Sequence, residues 1–501
     1  LQHLREGVGQ AADRDDLIRE IEALLDDVKA NSVQAGNDDA LFARVMDMIV
    51  GIPIGLVYVA PIAEQRGHHV EILDLALESE PGPVLSDKLE ERRWDVVGLS
   101  CMTAEFEGAE LVARQVKEFD PGIRVMFGGQ HPTMVMEEVL AQPYCDFLCM
   151  GEGEETFGHF LDVFSSGGDM TEVLGMAWKD DAGESRKNAP RPAIQDVDSI
   201  PFPSYHLLDL DRYVEAESAR FTAKYDRSIQ IFSSRGCPWH CTYCHDLFGK
   251  QFRPRSAENV VAEIKMLYED YNIQEFMVED DIFNFDMDRA KKICDLIVEE
   301  GFEIGLQFGN GVRLERLDEE LMEKLAAAGT HHLCIAIESA SPRIQSLTKK
   351  YLKLHMVNDV VSWAKKYKIH VLGFFMIGFP TETVEEINMS IRFACQTDLD
   401  EALFSIVIPY AGTELSKQVV DRGLYDSRYT PDLLHEVMRI ETPDFDFKTL
   451  KRLQRKAYMM FFLTRFRFVK MLPKLLDVRS SKRYIKAIER HFFPEFIRGE
   501  A

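Results

Sequence analysis

Residues 233–244 read SSRGCPWHCTYC and come directly after a short run of strand character, residues 228–232. Cys237, Cys241 and Cys244 place three thiols within eight residues, at CxxxCxxC spacing. Three thiolates bind three corners of a four-iron cluster, and the fourth iron then lacks a protein ligand. Because such an iron is open to a substrate, this loop predicts a reactive iron-sulfur site at the carboxyl end of a strand.

A structural zinc site is the alternative for this loop. Such a site normally closes with four ligands, commonly two CxxC-like pairs, and no second pair follows here. His240 or His245 would have to complete it. The chain has nine cysteines, an odd number, and those outside the loop are scattered, which argues against a disulfide framework and for a metal site.

A series of strand-like and helical segments surrounds the loop. The apolar runs span residues 228–232, 275–278, 304–308, 332–337, 371–377 and 403–408, and helical patterns such as 256–271 and 288–300 follow them. Six such units predict a partial (β/α)6 barrel of the TIM type over residues 223–425. Its active site is expected at the carboxyl ends of the strands, where the cysteine loop lies.

An earlier series predicts a second α/β unit. Its runs span residues 43–49, 69–75, 95–100, 124–127 and 146–150, with a helical pattern at 105–119. This alternation predicts a doubly wound, Rossmann-like parallel sheet over residues 41–170, after a helical extension at 1–40. A hairpin and a proline-rich linker, residues 171–222, are expected to join it to the barrel.

The composition limits the remaining possibilities. Of 501 residues 46% are hydrophobic and 28% charged, and no run has the roughly 18 to 20 apolar residues that a membrane helix needs. Residues 1–31 lack the basic and apolar parts of a secretory signal, so we expect a cytoplasmic protein. A net charge of -26 disfavours nucleic acid as a partner.

The C-terminal region, residues 426–501, is expected to be helical and basic. We expect it to pack its aromatic face on the acidic body, and the alternative is peripheral contact with an anionic membrane surface. Its basic residues are interleaved with aromatic ones: Lys451, Arg452, Arg455, Lys456, Arg465, Arg467, Lys470 and Lys474 with Tyr458, Phe461, Phe462, Phe466 and Phe468.

The cysteine loop, with Tyr243 before its third cysteine, resembles the signature of the radical S-adenosylmethionine (SAM) superfamily. The resemblance continues over the remaining strands of the barrel. It implies a 4Fe-4S cluster whose open iron chelates the amino and carboxylate groups of SAM. One electron from the reduced cluster then gives a 5'-deoxyadenosyl radical, so the cofactor carries the chemistry and the protein positions it.

Later motifs extend this resemblance to SAM binding. A carboxylate after the second strand is implied to pair with the methionine ammonium. Glu279, Asp280 and Asp281 are the three candidates, and the alternative for each is a solvated turn. Arg313 is implied to meet a carboxylate, and Glu338 is implied to contact the ribose. Gly378 belongs to a motif, residues 373–380, that is implied to pack against the adenine. PYAGT at 409–413 resembles the sixth-strand motif. The residues implied for SAM are Tyr243, Glu279, Asp280, Asp281, Arg313, Glu338 and Gly378.

The first sheet carries glycine-rich turns at successive strand ends. GGQHPT at 128–133 and GEGEETF at 151–157 let a large ligand approach the backbone, although tight connections would look the same. With DVVGLS at 95–100 and IPFP at 200–203, they resemble the cobalamin-binding domain of class B, cobalamin-dependent, radical SAM enzymes. The residues implied for cobalamin are Ser100, Thr103, Gly128, Gly129, His131, Thr133, Gly151, Glu152 and Gly153.

One departure from the cobalamin pattern bears on the cobalt. The DxHxxG motif, by which many cobalamin domains supply a histidine beneath the metal, is absent. The resemblance therefore implies a cobalt without a histidine lower ligand. We expect His131 instead to touch the corrin or one of its side chains.

The resemblance implies a substrate cavity between the two cofactors. The activity expected from it is methylation of an unactivated carbon through a 5'-deoxyadenosyl radical and methylcobalamin, with a flavodoxin or ferredoxin as electron donor. The substrate is expected to be a small molecule, a lipid or a tetrapyrrole, and the sequence identifies no residue that acts on it. The alternatives are a radical oxidative cyclase of the magnesium-protoporphyrin ester type and a non-catalytic cobalamin-binding sensor.

Overall fold

The structure is a computed structural model that describes residues 51–180, 182–217, 223–245, 247–425 and 439–467. The predicted helical extension at 1–40, the predicted strand at 43–49 and the basic segment beyond residue 467 lie outside the described residues.

The strands fall into two main sheets and one short ribbon. They are β1 Val96–Ser100, β2 Arg124–Gly128, β3 Phe147–Cys149, β4 Met176–Lys179, β5 Ser185–Lys187, β6 Ser228–Ile231, β7 Ser234–Arg235, β8 Arg253–Pro254, β9 Glu275–Val278, β10 Gly305–Val312, β11 Thr330–Glu338, β12 His370–Ile377 and β13 Glu401–Ile406.

The helices alternate with these strands over most of the described chain. They are α1 Ile54–Glu64, α2 Pro81–Glu90, α3 Phe106–Phe119, α4 Gln130–Met134, α5 Met136–Ala141, α6 Gly153–Ser166, α7 Leu210–Glu217, α8 Ala257–Tyr271, α9 Met287–Glu300, α10 Glu319–Ala327, α11 Pro342–Leu347, α12 Met356–Lys366, α13 Val384–Gln396, α14 Glu414–Asp421 and α15 Phe447–Leu463.

The first sheet has the order β1-β2-β3-β4-β5. β1, β2 and β3 run parallel, whereas β4 and β5 form an antiparallel hairpin on β3. The predicted α/β class is confirmed, with a sheet that is mixed rather than wholly parallel. The hairpin that we assigned to the linker belongs to this sheet by its hydrogen bonds.

The strand predicted at residues 69–75 is wrong. This segment has no regular secondary structure, and it runs into a short 3-10 helix, Leu75–Leu77. Asp74 accepts hydrogen bonds from Ala76 N at 3.0 Å and from the Tyr213 hydroxyl at 2.8 Å. An aspartate that bonds to nearby backbone favours a cap over a sheet ladder, so the apolar alternation here was misleading.

The second sheet has six parallel strands in the order β6-β9-β10-β11-β12-β13, as predicted for a partial barrel. Local signals set the limits of its helices. Ser256 caps α8 by accepting a hydrogen bond from Asn259 N at 3.1 Å, and the chain leaves that helix at Asn272 with a φ of 54°. Parallel topology places the carboxyl ends of all six strands at one edge.

Helix α15 covers the open edge of this sheet at β13. Gln454 Nε2 donates to the Phe404 carbonyl at 2.6 Å, and Phe404 N donates to the Tyr458 hydroxyl at 3.2 Å. Tyr458 and Phe461 are buried there. The part of the C-terminal region that is described therefore packs aromatic side chains on the barrel. No helix in the described ranges is both long and apolar enough to cross a membrane.

Candidate active site

The cysteine loop joins β7 to β8 and is fixed by backbone bonds. Gly236 has a φ of 79°, and a Cβ at this position would lie 2.2 Å from the Gln251 carbonyl oxygen, so only glycine fits. Cys237 N donates to the Gly249 carbonyl at 3.2 Å, and Thr242 N to the Thr348 carbonyl at 3.1 Å. The loop is thus a defined structure at the carboxyl edge of the barrel.

The three thiols of the loop suit iron. Cys237 and Cys241 are half-buried, and Cys244 is exposed. A hydrogen bond from Cys244, together with the positive charges of Lys350 and Arg313, holds the pKa of Cys241 below its usual range despite burial. The thiolate is the form that binds metal. Burial raises the pKa of Cys237, and the hydrogen bond to Cys241 together with burial raises that of Cys244, so the nearby cations favour the thiolate at Cys241. The donor set fits a cluster.

No three His, Cys, Asp or Glu side chains in the described ranges converge as ligands of a single metal ion. A 4Fe-4S cluster does not require convergence, because each of its cysteines binds a different iron.

Asp280 supports the loop from below. It is buried, and its Oδ1 accepts from Ser233 N at 2.6 Å, while its Oδ2 accepts from the hydroxyls of Ser233 and Ser234 at 2.6 and 2.5 Å. Both oxygens point at the residues that precede the loop. Of the three carboxylates predicted for the methionine ammonium, Asp280 is thus engaged in holding the strand end, and Glu279 and Asp281 are its more accessible neighbours.

Arg313 lies under the cysteine loop. Its guanidinium is buried with its carbon 4.7 Å from the centre of the Trp239 ring, and its Nη2 donates to the Lys350 carbonyl at 2.5 Å. Its Nε lies 2.9 Å from Glu315 Oε2. The structure therefore brings this predicted residue to the cluster side of the barrel.

Glu338 and Lys350 form an ion pair beside the loop. Glu338 ends β11 after a register shift against β12, has a φ of 66°, and its Oε1 lies 3.5 Å from Lys350 Nζ. Lys350 is buried between Lys349 and Tyr351, which have φ values of 55° and 52°. Non-glycine residues adopt such backbone only where their surroundings hold it, so this segment is strained.

Sequence reasoning missed Lys350. The residues around it, TKKYLK at 348–353, have the appearance of an exposed basic turn. Lys350 is distinguished from Lys349 by its burial and by the left-handed backbone of the residues on either side of it. Neither property is visible in one sequence.

Gly378 shapes the end of β12. It has a φ of 94°, and a Cβ here would lie 2.8 Å from Leu450 Cδ1 of α15. Gly378 N and Phe379 N donate to Glu382 Oε2 at 2.7 and 3.1 Å. Burial raises the pKa of Glu382 to about 8. The Phe379 ring lies 5.8 Å from that of Tyr243, so the strand end contacts the cysteine loop.

The turns that follow β2 and β3 in the first sheet are tied together. Gly129 has a φ of 94°, and a Cβ there would lie 2.9 Å from the Cys101 carbonyl oxygen. The Thr133 hydroxyl donates to the Gly129 carbonyl at 2.7 Å and accepts from Gly151 N at 3.2 Å. Ser100 and Gly128 end the two neighbouring strands, so these predicted residues do share one edge.

The side chain of His131, which we expect to touch the corrin or one of its side chains, is buried inside the first unit. Its side chain is 1% exposed, its ring centre lies 4.6 Å from that of Phe106, and its Nδ1 lies 3.1 Å from the Thr103 hydroxyl. A histidine packed this way holds the turn from inside the domain, because the helix that starts at Phe106 covers its ring.

An open face remains along the same strand ends. Ser100 is exposed, Met102 is 49% exposed, and no atom lies within 4 Å of where a Cβ of Gly151 would be. Small residues, an exposed apolar side chain and accessible backbone suit a large amide-bearing ligand such as cobalamin.

Glu152 and Gly153 do not belong to that open face. The Glu152 carboxylate is buried, accepts from Ile194 N at 2.8 Å and pairs with Arg235 and Arg253 of the barrel at 3.0 and 2.9 Å. Gly153 begins α6, where a Cβ would lie 3.1 Å from Val59 Cγ2. The Glu152 carboxylate therefore faces the barrel, and the contact of Glu152 and Gly153 with a ligand stays a prediction.

The carboxyl edges of the two sheets lie against each other. A Cβ on Gly412, in the loop after β13, would lie 2.6 Å from Met134 Sδ, directly after the GGQHPT turn. The two units thus meet by the ends of their parallel strands, where such folds bind ligands. This arrangement defines an enzyme with an iron-sulfur site on one unit and a cofactor-binding face on the other.

Comparison with known proteins places the chain in a family. Residues 49–161 match the B12 binding domain, and residues 231–394 match the radical SAM superfamily. The chain belongs to the cobalamin-dependent radical SAM enzymes, whose cofactors are a 4Fe-4S cluster, SAM and cobalamin. The family assignment decides between the iron-sulfur and the zinc interpretation of the cysteine loop.

Two relatives are more than 30% identical, and both are methyltransferases. An uncharacterized methyltransferase of Pyrococcus horikoshii is 34% identical over 420 residues, 82% of this chain and 88% of that protein. Cytidylyl-2-hydroxyethylphosphonate methyltransferase of Streptomyces wedmorensis is 31% identical over 427 residues, 75% of this chain and 79% of that protein. Relatives of lower identity include cyclases.

A solved structure confirms the fold. The cobalamin-dependent SAM radical enzyme OxsB, with aqua-cobalamin bound, superposes with a TM-score of 0.69 at 16% identity, over 88% of this chain and 69% of that chain.

Proposed function

We propose that this methyltransferase adds a methyl group to an unactivated carbon of a small molecule. The observation that carries the proposal is the meeting of the two strand-end edges at Gly412 and Met134, which gives two cofactors access to one substrate. The bound cofactors supply a one-electron reductant for SAM and a carrier for the methyl group. The protein binds them, orients them and excludes water between them.

Cys237, Cys241 and Cys244 are the proposed ligands of the cluster. Their support is the thiol set itself, the loop that backbone bonds hold in place, and the hydrogen bond from Cys244 and the nearby cations that lower the pKa of Cys241. Lys350 and Arg313 would also offset part of the negative charge of a thiolate-bound cluster.

SAM is proposed to lie between the cysteine loop and the ends of β9 to β12. Glu279 or Asp281 would pair with its ammonium, Lys350 or Arg313 with its carboxylate, and Glu338 would accept from its ribose. Tyr243 and Gly378 would border the adenine. The support is proximity: Glu338 reaches Lys350, and the negative charge of Glu338 adds to burial in raising the pKa of Tyr243.

Cobalamin is proposed to lie on the open face of the first sheet. Ser100, Gly128 and Gly151 would line it, and Gly129 and Thr133 would hold the turn beneath it. Thr103 and His131 act through that turn rather than by direct contact. The support is the exposure of the face together with its position opposite the barrel.

A product analysis tests this function. The anaerobically purified protein is assayed for iron and cobalamin, then incubated with SAM and titanium(III) citrate, and the products are separated by mass spectrometry. A methyltransferase is expected to give S-adenosylhomocysteine together with 5'-deoxyadenosine. Formation of 5'-deoxyadenosine alone would favour the cyclase alternative, and formation of neither by a protein with a full cluster would favour the sensor.

The proposed partners follow from the same chemistry. An enzyme of this superfamily acts on a small molecule, and we propose that a flavodoxin or ferredoxin supplies the electron. The cysteines of the described chain are free thiols, which supports a reducing compartment such as the cytoplasm.

A further inference from the structure

The cysteine loop is closed at its base by a two-stranded ribbon. β7 and β8 pair antiparallel, Ser234 with Pro254 and Arg235 with Arg253, and residues 236–252 form the loop between them. Each strand of the ribbon therefore contributes one arginine at the point where the loop leaves or re-enters the barrel.

Both arginines reach the start of α6 in the first unit. Arg235 Nη2 lies 2.5 Å from Glu154 Oε1 and its Nη1 lies 3.0 Å from Glu152 Oε1; Arg253 Nη1 lies 2.9 and 3.0 Å from the two oxygens of Glu152. The four side chains, called the interdomain clamp below, are only 2% to 7% exposed. Two positive charges thus meet two negative charges between the units.

The clamp is better suited to fixing geometry than to adding stability. Burying charges costs desolvation energy, and well-packed apolar side chains often stabilise a protein as much as a buried ion pair does. Planar guanidinium groups that share carboxylates, by contrast, accept a narrow range of distances and angles. The rings of Tyr58 and Phe248, at 5.6 and 5.1 Å, confine Arg235 further.

We propose that the interdomain clamp sets the position of the cluster loop relative to the cobalamin face. Its four members are positioning residues, and the proposal rests on the proposed function. Reductive cleavage of SAM needs only the barrel. Transfer of the methyl group of SAM to cobalamin would need both units in register: cobalamin reduced by two electrons from titanium(III) citrate would form the new cobalt-carbon bond, the carbon-sulfur bond would break with its electrons left on sulfur, and S-adenosylhomocysteine would leave.

The test uses Glu154→Gln, which keeps the shape of the side chain and removes its charge. The holoenzyme, SAM and titanium(III) citrate are combined without substrate, and both SAM products are measured. We expect S-adenosylhomocysteine formation to fall on the order of 100-fold, as for a reacting group misplaced by about 1 Å, with 5'-deoxyadenosine formation retained. Arg235→Lys, which keeps the charge but loses the fork, is expected to show the same split if Glu154→Gln does not fold.

A spectroscopic measurement examines the geometry directly. Electron paramagnetic resonance of the holoenzyme, with cobalamin as cob(II)alamin and the cluster reduced, reports the magnetic interaction between the two centres. We expect this interaction to weaken in Glu154→Gln while each isolated signal keeps its shape. An unchanged interaction would overturn the proposal.

Glu275→Gln is the matched control. Glu275 is a wholly buried carboxylate that accepts from His331 and Gln307 at 2.6 and 2.5 Å, at the opposite, amino end of the barrel strands. It should lower stability while the ratio of the two products stays constant. If Glu154→Gln lowers both products in proportion, so that their ratio stays constant as expected for the control, the clamp is only structural and the proposal is overturned. A parent enzyme that forms no S-adenosylhomocysteine would contradict the proposed function, and the resonance measurement would still decide the clamp.

Discussion

The strand ends of the two units use their polar residues in different ways. In the barrel, Arg313, Glu338 and Lys350 converge beside the cysteine loop. In the first unit, His131 packs inside the domain and Glu152 turns towards the barrel, so the open face is left with small residues. A small charged cofactor is held by a few directed side chains, whereas a large one is accommodated mainly by backbone and space.

The largest effect is expected from a substitution in the cysteine loop of the barrel. Cys241→Ala removes one ligand of the cluster, and we expect complete loss of 5'-deoxyadenosine formation and of the iron absorbance. Cobalamin content should stay near that of the parent, because the open face of the first sheet is built by other residues. Iron and cobalamin quantitation checks this, and joint loss of both cofactors would show that the units do not bind independently.

A large effect is also expected from Lys350→Met. The substitution removes the buried ammonium but keeps much of the side-chain length, and a lost charged hydrogen bond costs about 1.5 to 3 kcal/mol. SAM affinity should therefore fall about 10-fold to 100-fold. Lys349→Met is the control, since Lys349 pairs with Glu414 at the surface. Equal effects of the two substitutions on the SAM dissociation constant would contradict the assignment.

An intermediate effect is expected from Gly129→Ala in the first unit. The methyl group would lie 2.9 Å from the Cys101 carbonyl oxygen at a φ of 94°, and backbone strain of this kind costs roughly 1 to 3 kcal/mol. Cobalamin content should fall while 5'-deoxyadenosine formation persists. Gly167→Ala serves as the control, because Gly167 also has a positive φ but has open space around its Cβ. Similar losses of cobalamin in both variants would contradict the proposal that the Gly129 turn supports cobalamin binding.

A separate effect, on stability alone, is a pH dependence at Glu382. Its pKa is raised to about 8 by burial, so between the usual carboxyl range and pH 8 the folded state binds the proton that the unfolded state has released. Stability therefore falls as pH rises through this window, by up to about 1.4 kcal/mol per pH unit. Denaturant unfolding of Glu382→Gln should show a flatter profile from pH 6 to 8, and parallel profiles would refute this contribution.

Much of the fold was predictable from periodicity alone. The six barrel strands were placed within a few residues, because parallel strands buried on both faces are continuous apolar runs. Residues 69–75 show the limit of the method. Their alternation is typical of a strand, but Asp74 bonds to local backbone and to Tyr213, a partner more than a hundred residues away.

The candidate site was predictable where its motifs follow one another along the chain in the order that the family shows, as the cysteine loop and the Gly378 motif do. Lys350 was missed, and the pairing of the Glu152 carboxylate with Arg235 and Arg253 of the barrel was not foreseen. In each case the decisive property is burial against a distant segment. A sequence gives the identity of a carboxylate but not whether an arginine from another unit lies beside it.

Helix α15 has a practical consequence for work with this protein. It covers the free edge of β13 through Gln454 and Tyr458 and places Leu450 against the Gly378 turn. A shortened chain that ends before residue 447 would expose both an unpaired strand edge and the apolar groove beneath the helix. Exposed edges of this kind template association between copies, so such a truncation is expected to precipitate on expression rather than yield a smaller enzyme.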